Sequence, residues 1–133
     1  MTLSTHVLDA TTGRPAAGVR VRLERADDDG WAPAGEGTTG PDGRLRLSGE
    51  PGDPAAGGAS EPAAGGAGEP AAGGAGEPGV YRLTFGSGAY FQARGSATFY
   101  PEVSITFEMT ERAGHYHVPL LLSPFAYSTY RGS

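Results

Sequence analysis

The stretch HYHVPLLL, His115 to Leu122, decides the fold class. Tyr116, Val118, Leu120 and Leu122 fall on one side of an extended chain, and His115, His117, Pro119 and Leu121 on the other. Side chains that alternate with period 2 belong to a strand. Here both sides carry apolar residues. A strand in a two-sheet sandwich has only one internal face, so its second face is expected to meet another subunit. The two histidines lie together on one of those faces.

Working outward, the neighbouring segments are also strand-like. Val103, Ile105, Phe107 and Met109 share a face within 101–109, and Phe125 to Tyr130 forms a last strand beyond a bend at Ser123-Pro124. Nearer the start, Thr5, Val7 and Asp9 alternate with His6 and Leu8, ending at the turn Thr12-Gly13-Arg14-Pro15. Val19, Val21 and Leu23 then oppose Arg20, Arg22 and Glu24, the pattern of a half-buried strand. After Asp27-Asp28-Asp29-Gly30, Trp31 to Thr39 is a further strand candidate. The tight turn Pro41-Asp42-Gly43 delivers Arg44-Leu45-Arg46-Leu47. Tyr81, Leu83 and Phe85 alternate with Arg82 and Thr84. Ser87 to Arg94 is the one helix candidate, with Ser87 as its cap and Gly95 as its stop. About eight short strands and one short helix predict an all-β, two-sheet sandwich.

The alternation is interrupted once. Residues 49–79 consist almost wholly of Gly, Ala, Pro and Glu, and 53–76 reads as three octads, DPAAGGAS, EPAAGGAG and EPAAGGAG. Pro and Gly at this spacing block both helix and ladder. The segment is expected to be a disordered loop, expanded by duplication, within a single domain spanning 1–133. As a coil it reaches roughly 30 Å. Lengthening a short turn to this extent costs only about 1.5 kcal/mol of closure entropy. About 100 residues remain to fold, a size at which stability alone is marginal and self-association is a reasonable expectation.

Composition removes several functions. There is no cysteine, hence no disulfide, thiolate nucleophile or Cys-based metal site, and no lysine, hence no lysine Schiff base. The net charge of −5 comes from Glu50, Asp53, Glu61, Glu69 and Glu77 in the low-complexity segment; elsewhere ten acids balance ten arginines. No basic patch offers itself to nucleic acid. The opening MTLSTHVLDA has no basic or apolar leader pattern, and no apolar run is long enough to span a membrane. A soluble, cytoplasmic protein is expected.

The candidates for chemistry are few. His6, His115 and His117 all fall on predicted strands, and His115 and His117 share a face. They could be hydrogen-bonded structural residues, could include a general base, or could together supply three nitrogens to Zn²⁺; no carboxylate at ligand spacing favours the metal. Arg44, at a strand start after a turn, reads in isolation as a solvated charge. The Tyr130-Arg131-Gly132-Ser133 end offers a phenol, a guanidinium and a carboxylate acceptor to a small polar ligand. Nothing resembles a phosphate-binding loop, a nucleophile elbow or a nucleic-acid module.

Four segments carry a family resemblance: LSTHVLDATTGRPAAGVRVRLER at 3–25, PDGRLRL at 41–47, GAYFQARG at 88–95 and HYHVPLLLSPFAYSTYRGS at 115–133. Together they resemble the transthyretin-like proteins, and the YRGS close resembles the 5-hydroxyisourate hydrolase branch. Only 49–79 departs from the pattern. The resemblance implies a transthyretin-like sandwich that pairs by edge strands into dimers. Two dimers then form a homotetramer with a central channel that holds the substrate sites.

It also implies an activity: hydrolysis of 5-hydroxyisourate to 2-oxo-4-hydroxy-4-carboxy-5-ureidoimidazoline in urate degradation. Carried over residue by residue, the catalytic set is His6, Arg44, His117 and Ser133, with His6, Arg44, Tyr130 and Arg131 contacting substrate. His117 or His6 would activate water, because an imidazole titrating near 6.5 is a serviceable base at neutral pH. Arg44 would meet the oxyanion and carbonyl oxygens with its planar fork of donors. His115 would orient or simply pack. No metal or organic cofactor is implied. The alternative is a non-catalytic transthyretin-type carrier of a small ligand, whose relatives share the β framework but lack these histidines, the arginine and YRGS.

Overall fold

The computed structural model describes residues 2–48, 77–111 and 114–133. Most of the low-complexity stretch, 49–76, lies outside them. Among the described residues, nine strands and one helix form two sheets: β1 Thr2–Asp9, β2 Arg14–Pro15, β3 Arg20–Asp27, β4 Gly30–Thr38, β5 Arg44–Ser48, β6 Gly79–Phe85, α1 Ser87–Gln92, β7 Val103–Met109, β8 His115–Ser123 and β9 Ala126–Thr129.

One sheet is the antiparallel series β4-β3-β6-β7. The other is built on β1. Along one edge β1 meets β5 (Thr2 to His6) and then β2 (Leu8 and Asp9), both antiparallel. Along its other edge it meets β8 in parallel over its whole length, and β9 closes the sheet against β8. The predicted alternation holds. Leu3, Thr5, Val7 and Asp9 of β1 point inward, with Tyr116, Val118, Leu120 and Leu122 of β8. They pack on Val21, Leu23, Tyr81, Leu83, Phe85, Val103 and Met109 of the opposite sheet. Each such side chain removed from water contributes about 1.5–3 kcal/mol.

Three local readings change. The Arg14-Pro15 part of the predicted turn pairs briefly with Leu8 and Asp9, adding a two-residue strand. The helix cap is Gly86, with no side-chain capping bond; Ser87 lies inside the first turn and its hydroxyl donates to the Tyr100 carbonyl. The strand ladder accounts for this, because the Gly86 N–H is still held by the Arg20 carbonyl. The last strand is shorter than read, Ala126–Thr129. Gly95 does end the helical turn, with φ +73°.

Asp9 ties the helix to β1. Its carboxylate is buried, accepts from the Thr11 N–H (2.9 Å) and hydroxyl, and accepts from the Tyr90 hydroxyl at 2.8 Å. The Arg94 guanidinium covers the Tyr90 ring at 3.8 Å. Burial and the neighbouring Asp9 carboxylate push the Tyr90 phenol up to about 12, so it remains a donor. Among the described residues no helix is long and apolar enough to cross a membrane.

Candidate functional site

The outward face of the β1 sheet carries the candidate residues, and strand register sets their order. His6 lies opposite Arg44 on one side and Pro119 on the other. Ser4 lies opposite Arg46 and His117, and Thr2 opposite Ser48 and His115. Directly opposed residues in a sheet point to the same face. The short Ser4 side chain therefore forms the low middle of a row between a guanidinium and an imidazole. Neighbouring strands are about 4.8 Å apart, so the outer members of that row stand about 10 Å from each other. A cleft of about 450 Å³ opens here, lined by Ser4, Arg44, Arg46, His115, His117 and Ser133, among others.

Arg44 owes its place to the preceding turn. Gly43 has φ +76°, and a Cβ there would come within 2.4 Å of the Val7 carbonyl oxygen. Only glycine allows the turn to lie directly on β1. The Gly43 carbonyl accepts from the Val7 N–H at 2.8 Å, and the Asp42 carboxylate accepts from the Arg44 N–H at 3.0 Å. The Arg44 side chain is largely solvated, with a loose 3.9 Å approach to Asp42. In its charged form it is free to turn toward an anionic ligand.

His117 is the most constrained of the three histidines. Its Nδ1 lies 2.8 Å from the Ser4 hydroxyl. On its other side the ring rests against Gly132, where a Cβ would come within 2.5 Å of His117 Cδ2. The Gly132 N–H donates to the His117 carbonyl at 2.8 Å, a bridge that continues the β8–β9 register. Burial lowers the His117 pKa, and the charges of Arg44, His115 and His6 lower it further, against an opposing hydrogen bond to the Ser4 backbone. The ring is thus kept neutral near pH 7. His115 pairs through its Nδ1 with the Thr2 hydroxyl and is exposed.

Of the residues expected at the site, Arg44, His117 and Ser133 line the cleft together, and His115 joins them. His6 is on the same face one row away, half-buried, and close enough for its charge to act on His117. Tyr130 is 59 % exposed. In register it falls opposite Pro119, as an extension of the Leu120–Thr129 and His117–Gly132 pairs. Arg131 turns toward the core edge instead, with its guanidinium 5.0 Å from the centre of the buried Tyr116 ring. Ser4 and Arg46 also line the cleft and were not singled out from the sequence, and Gly132 was read there only as part of the Tyr130–Ser133 tetrapeptide. Ser4 and Arg46 could have been found from the period-2 pattern once β1, β5 and β8 were known to be neighbours. Among the described residues no group of three or more His, Asp or Glu is arranged to hold a metal ion.

Comparison with known proteins adds an independent line. The model of the HIUase/transthyretin family matches residues 3–132. The chain is 41 % identical to the 5-hydroxyisourate hydrolase of Salmonella typhimurium, covering 98 % of this chain and 80 % of that protein. It is 38 % identical to the enzyme of the same name from Deinococcus radiodurans, over 98 % and 95 % of the two chains. Among solved structures, Klebsiella pneumoniae 5-hydroxyisourate hydrolase superposes with a TM-score of 0.72 at 31 % identity, over 100 % of both chains. Sea bream transthyretin in complex with thyroxine also reaches 0.72, at 28 % identity over 98 % and 93 %.

Proposed function

This chain belongs to the HIUase/transthyretin family, and from that premise we propose that it hydrolyses 5-hydroxyisourate in the cleft over β1, β5 and β8. The observation that carries the reading is the meeting in one cleft of His117, its Nδ1 held by Ser4, with Arg44 and Ser133. A carrier needs shape and apolar contacts. It has no need of a neutral, oriented imidazole facing a guanidinium. The likeness to a thyroxine-binding transthyretin rests on the shared framework.

The chemistry follows from the groups. Water attacks the lactam carbonyl carbon while His117 takes a proton from it. Charge moves to the carbonyl oxygen, where the Arg44 fork meets it. The carbon–nitrogen bond then breaks, the nitrogen takes the proton from the imidazolium, and the ring opens to a carboxylate. His6, beside Arg44 in register, contacts substrate or shares the base role. Ser133 closes the cleft from the chain end, and Tyr130 adds a phenol at its rim. Arg131, through Tyr116, holds the chain's last residues in place for substrate. The scheme calls on no metal or organic cofactor.

We also read the chain as a single transthyretin-like domain interrupted at 49–79 and assembled as a homotetramer. Support for assembly comes from the outward side of the β1 sheet, where Leu8 and Leu121 stay half-exposed beside the cleft. A second copy would cover them and complete the channel. The test is the decay of freshly generated 5-hydroxyisourate, followed by its absorbance. The chain accelerates decay well above the spontaneous rate, and His117→Ala or Arg44→Ala lowers the acceleration by about 10²-fold or more while the assembly elutes unchanged. A wild-type chain without acceleration overturns the reading.

A further inference from the structure

A neutral imidazole has one nitrogen that carries a proton and one that offers a lone pair, and the partner of the first selects the second. At His117 both sides of the ring are occupied. Ser4 Oγ stands at Nδ1, 2.8 Å away, and Gly132 lies against Cδ2. Nε2 is the other ring nitrogen, and His117 lines the cleft. The pairing recurs one row along β1, where the Thr2 hydroxyl meets His115 Nδ1. The two hydroxyl residues sit in register opposite the two histidines.

We infer that Ser4 is a positioning residue: its Oγ accepts a hydrogen bond from His117 Nδ1–H and, with Gly132 behind the ring, holds the tautomer whose Nε2 lone pair faces the cleft. This rests on the reading of His117 as the base. The two arginines of β5 favour the same orientation, against the single Asp42 carboxylate. Arg44 and Arg46 reach the cleft from β5, and the lone pair is the negative end of the imidazole dipole. Turning it toward two guanidinium groups, with the N–H toward Ser4, is the electrostatically favourable arrangement. The other titratable neighbours are His6 on β1, His115 on β8, Asp42 in the turn before β5, Tyr130 and Arg131 beyond β9, and the carboxylate of Ser133. Among the described residues none of them hydrogen-bonds the His117 ring. The hydroxyl of Ser4 therefore supplies what a carboxylate or carbonyl supplies to other catalytic histidines.

The experiment compares Ser4→Thr with Ser4→Val, two side chains of nearly equal shape that differ in the hydroxyl and suit a strand equally. Ser4→Thr keeps most of the turnover. Ser4→Val loses about 10–100-fold in kcat, the range seen when the partner orienting a functional histidine is removed. The acid limb of its kcat/KM profile also moves to lower pH, because an oxygen accepting from Nδ1–H favours the protonated ring. Nitrogen and carbon NMR of the labelled His117 ring in the full chain shows the Nδ1–H tautomer in the wild type and its loss in Ser4→Val. An active wild type in which both variants match its rate and pH profile, or a wild-type spectrum of the Nε2–H tautomer, overturns the role of Ser4. A wild type that does not accelerate 5-hydroxyisourate decay overturns the hydrolase reading instead, and the spectrum still reports the tautomer independently.

Discussion

Replacing Gly132 with alanine tests how tightly the His117 ring is held. Gly132 has no positive φ, so alanine meets no backbone objection there, and the effect is confined to one added carbon. That carbon would lie 2.5 Å from His117 Cδ2, 3.2 Å from its Cγ and 3.3 Å from Pro119 Cγ. Carbon atoms rest comfortably at about 3.5–4.0 Å, so the ring must retreat by roughly 1 Å. Ser4 already contacts Nδ1 at 2.8 Å, so any retreat toward it presses on that hydrogen bond. A misplacement of on the order of 1 Å in a catalytic group costs about 10²-fold in rate, equivalent to about 2.7 kcal/mol on the barrier. KM should move far less, since Arg44 and Ser133 stay in the cleft. The assay is initial-rate decay of 5-hydroxyisourate, with circular dichroism and size-exclusion elution to show an intact assembly. Essentially wild-type kcat in a correctly assembled Gly132→Ala chain would refute the packing of the imidazole against the chain end.

Other outcomes follow from the same geometry. Arg44→Ala should lower kcat by about 10²–10³-fold, the usual consequence of losing an oxyanion donor, measured in the same decay assay. Because burial and nearby cations lower the His117 pKa, the acid limb of kcat/KM should fall below the ordinary imidazole value of about 6.5. A limb above that value would count against His117 as the base. Tyr90→Phe should destabilise the fold by about 1.5–3 kcal/mol at pH 7, since it strips a donor from a buried carboxylate. Burial alone would raise the Asp9 carboxyl, but hydrogen bonds from Thr11 and Tyr90 outweigh it and hold the carboxyl below its ordinary value. The contribution of Asp9 is thus present above the unfolded carboxyl pKa of about 3.9 and is lost as pH falls through the lower folded value. Urea unfolding at neutral and strongly acid pH should show the Tyr90→Phe penalty shrinking in acid. Deleting residues 53–76 should leave turnover near wild type, because every proposed site residue lies outside that stretch and shortening the connection between β5 and β6 changes closure entropy by only about 1.5 kcal/mol.

Much of the fold was legible because sandwiches write their faces into local alternation. Tyr116, Val118, Leu120 and Leu122 were separable from His115, His117, Pro119 and Leu121 by period 2 alone, and the core uses that same division. The helix was legible from its small-residue frame, but its cap was not: whether Ser87 caps or packs depends on how far the Arg20–Gly86 ladder runs. The candidate site was legible chiefly through resemblance, which named Arg44, His117 and Ser133, three residues that line one cleft. It gave no indication that Arg131 turns away to Tyr116 while Arg46 enters the cleft.

The sequence by itself determined the strands, their inward and outward residues, and the type of chemistry open to a chain without cysteine or lysine. Only the tertiary structure decided which outward residues face each other. Ser4 and His117 are 113 residues apart, and they touch because β1 and β8 run parallel in one particular register. A shift of one residue would turn His117 toward the core and leave Ser4 beside an apolar side chain. Local periodicity tells a strand which face is buried. The choice of neighbour and register comes from packing the whole sandwich at once, and that choice is what turns a hydroxyl, an imidazole and a glycine into a single site.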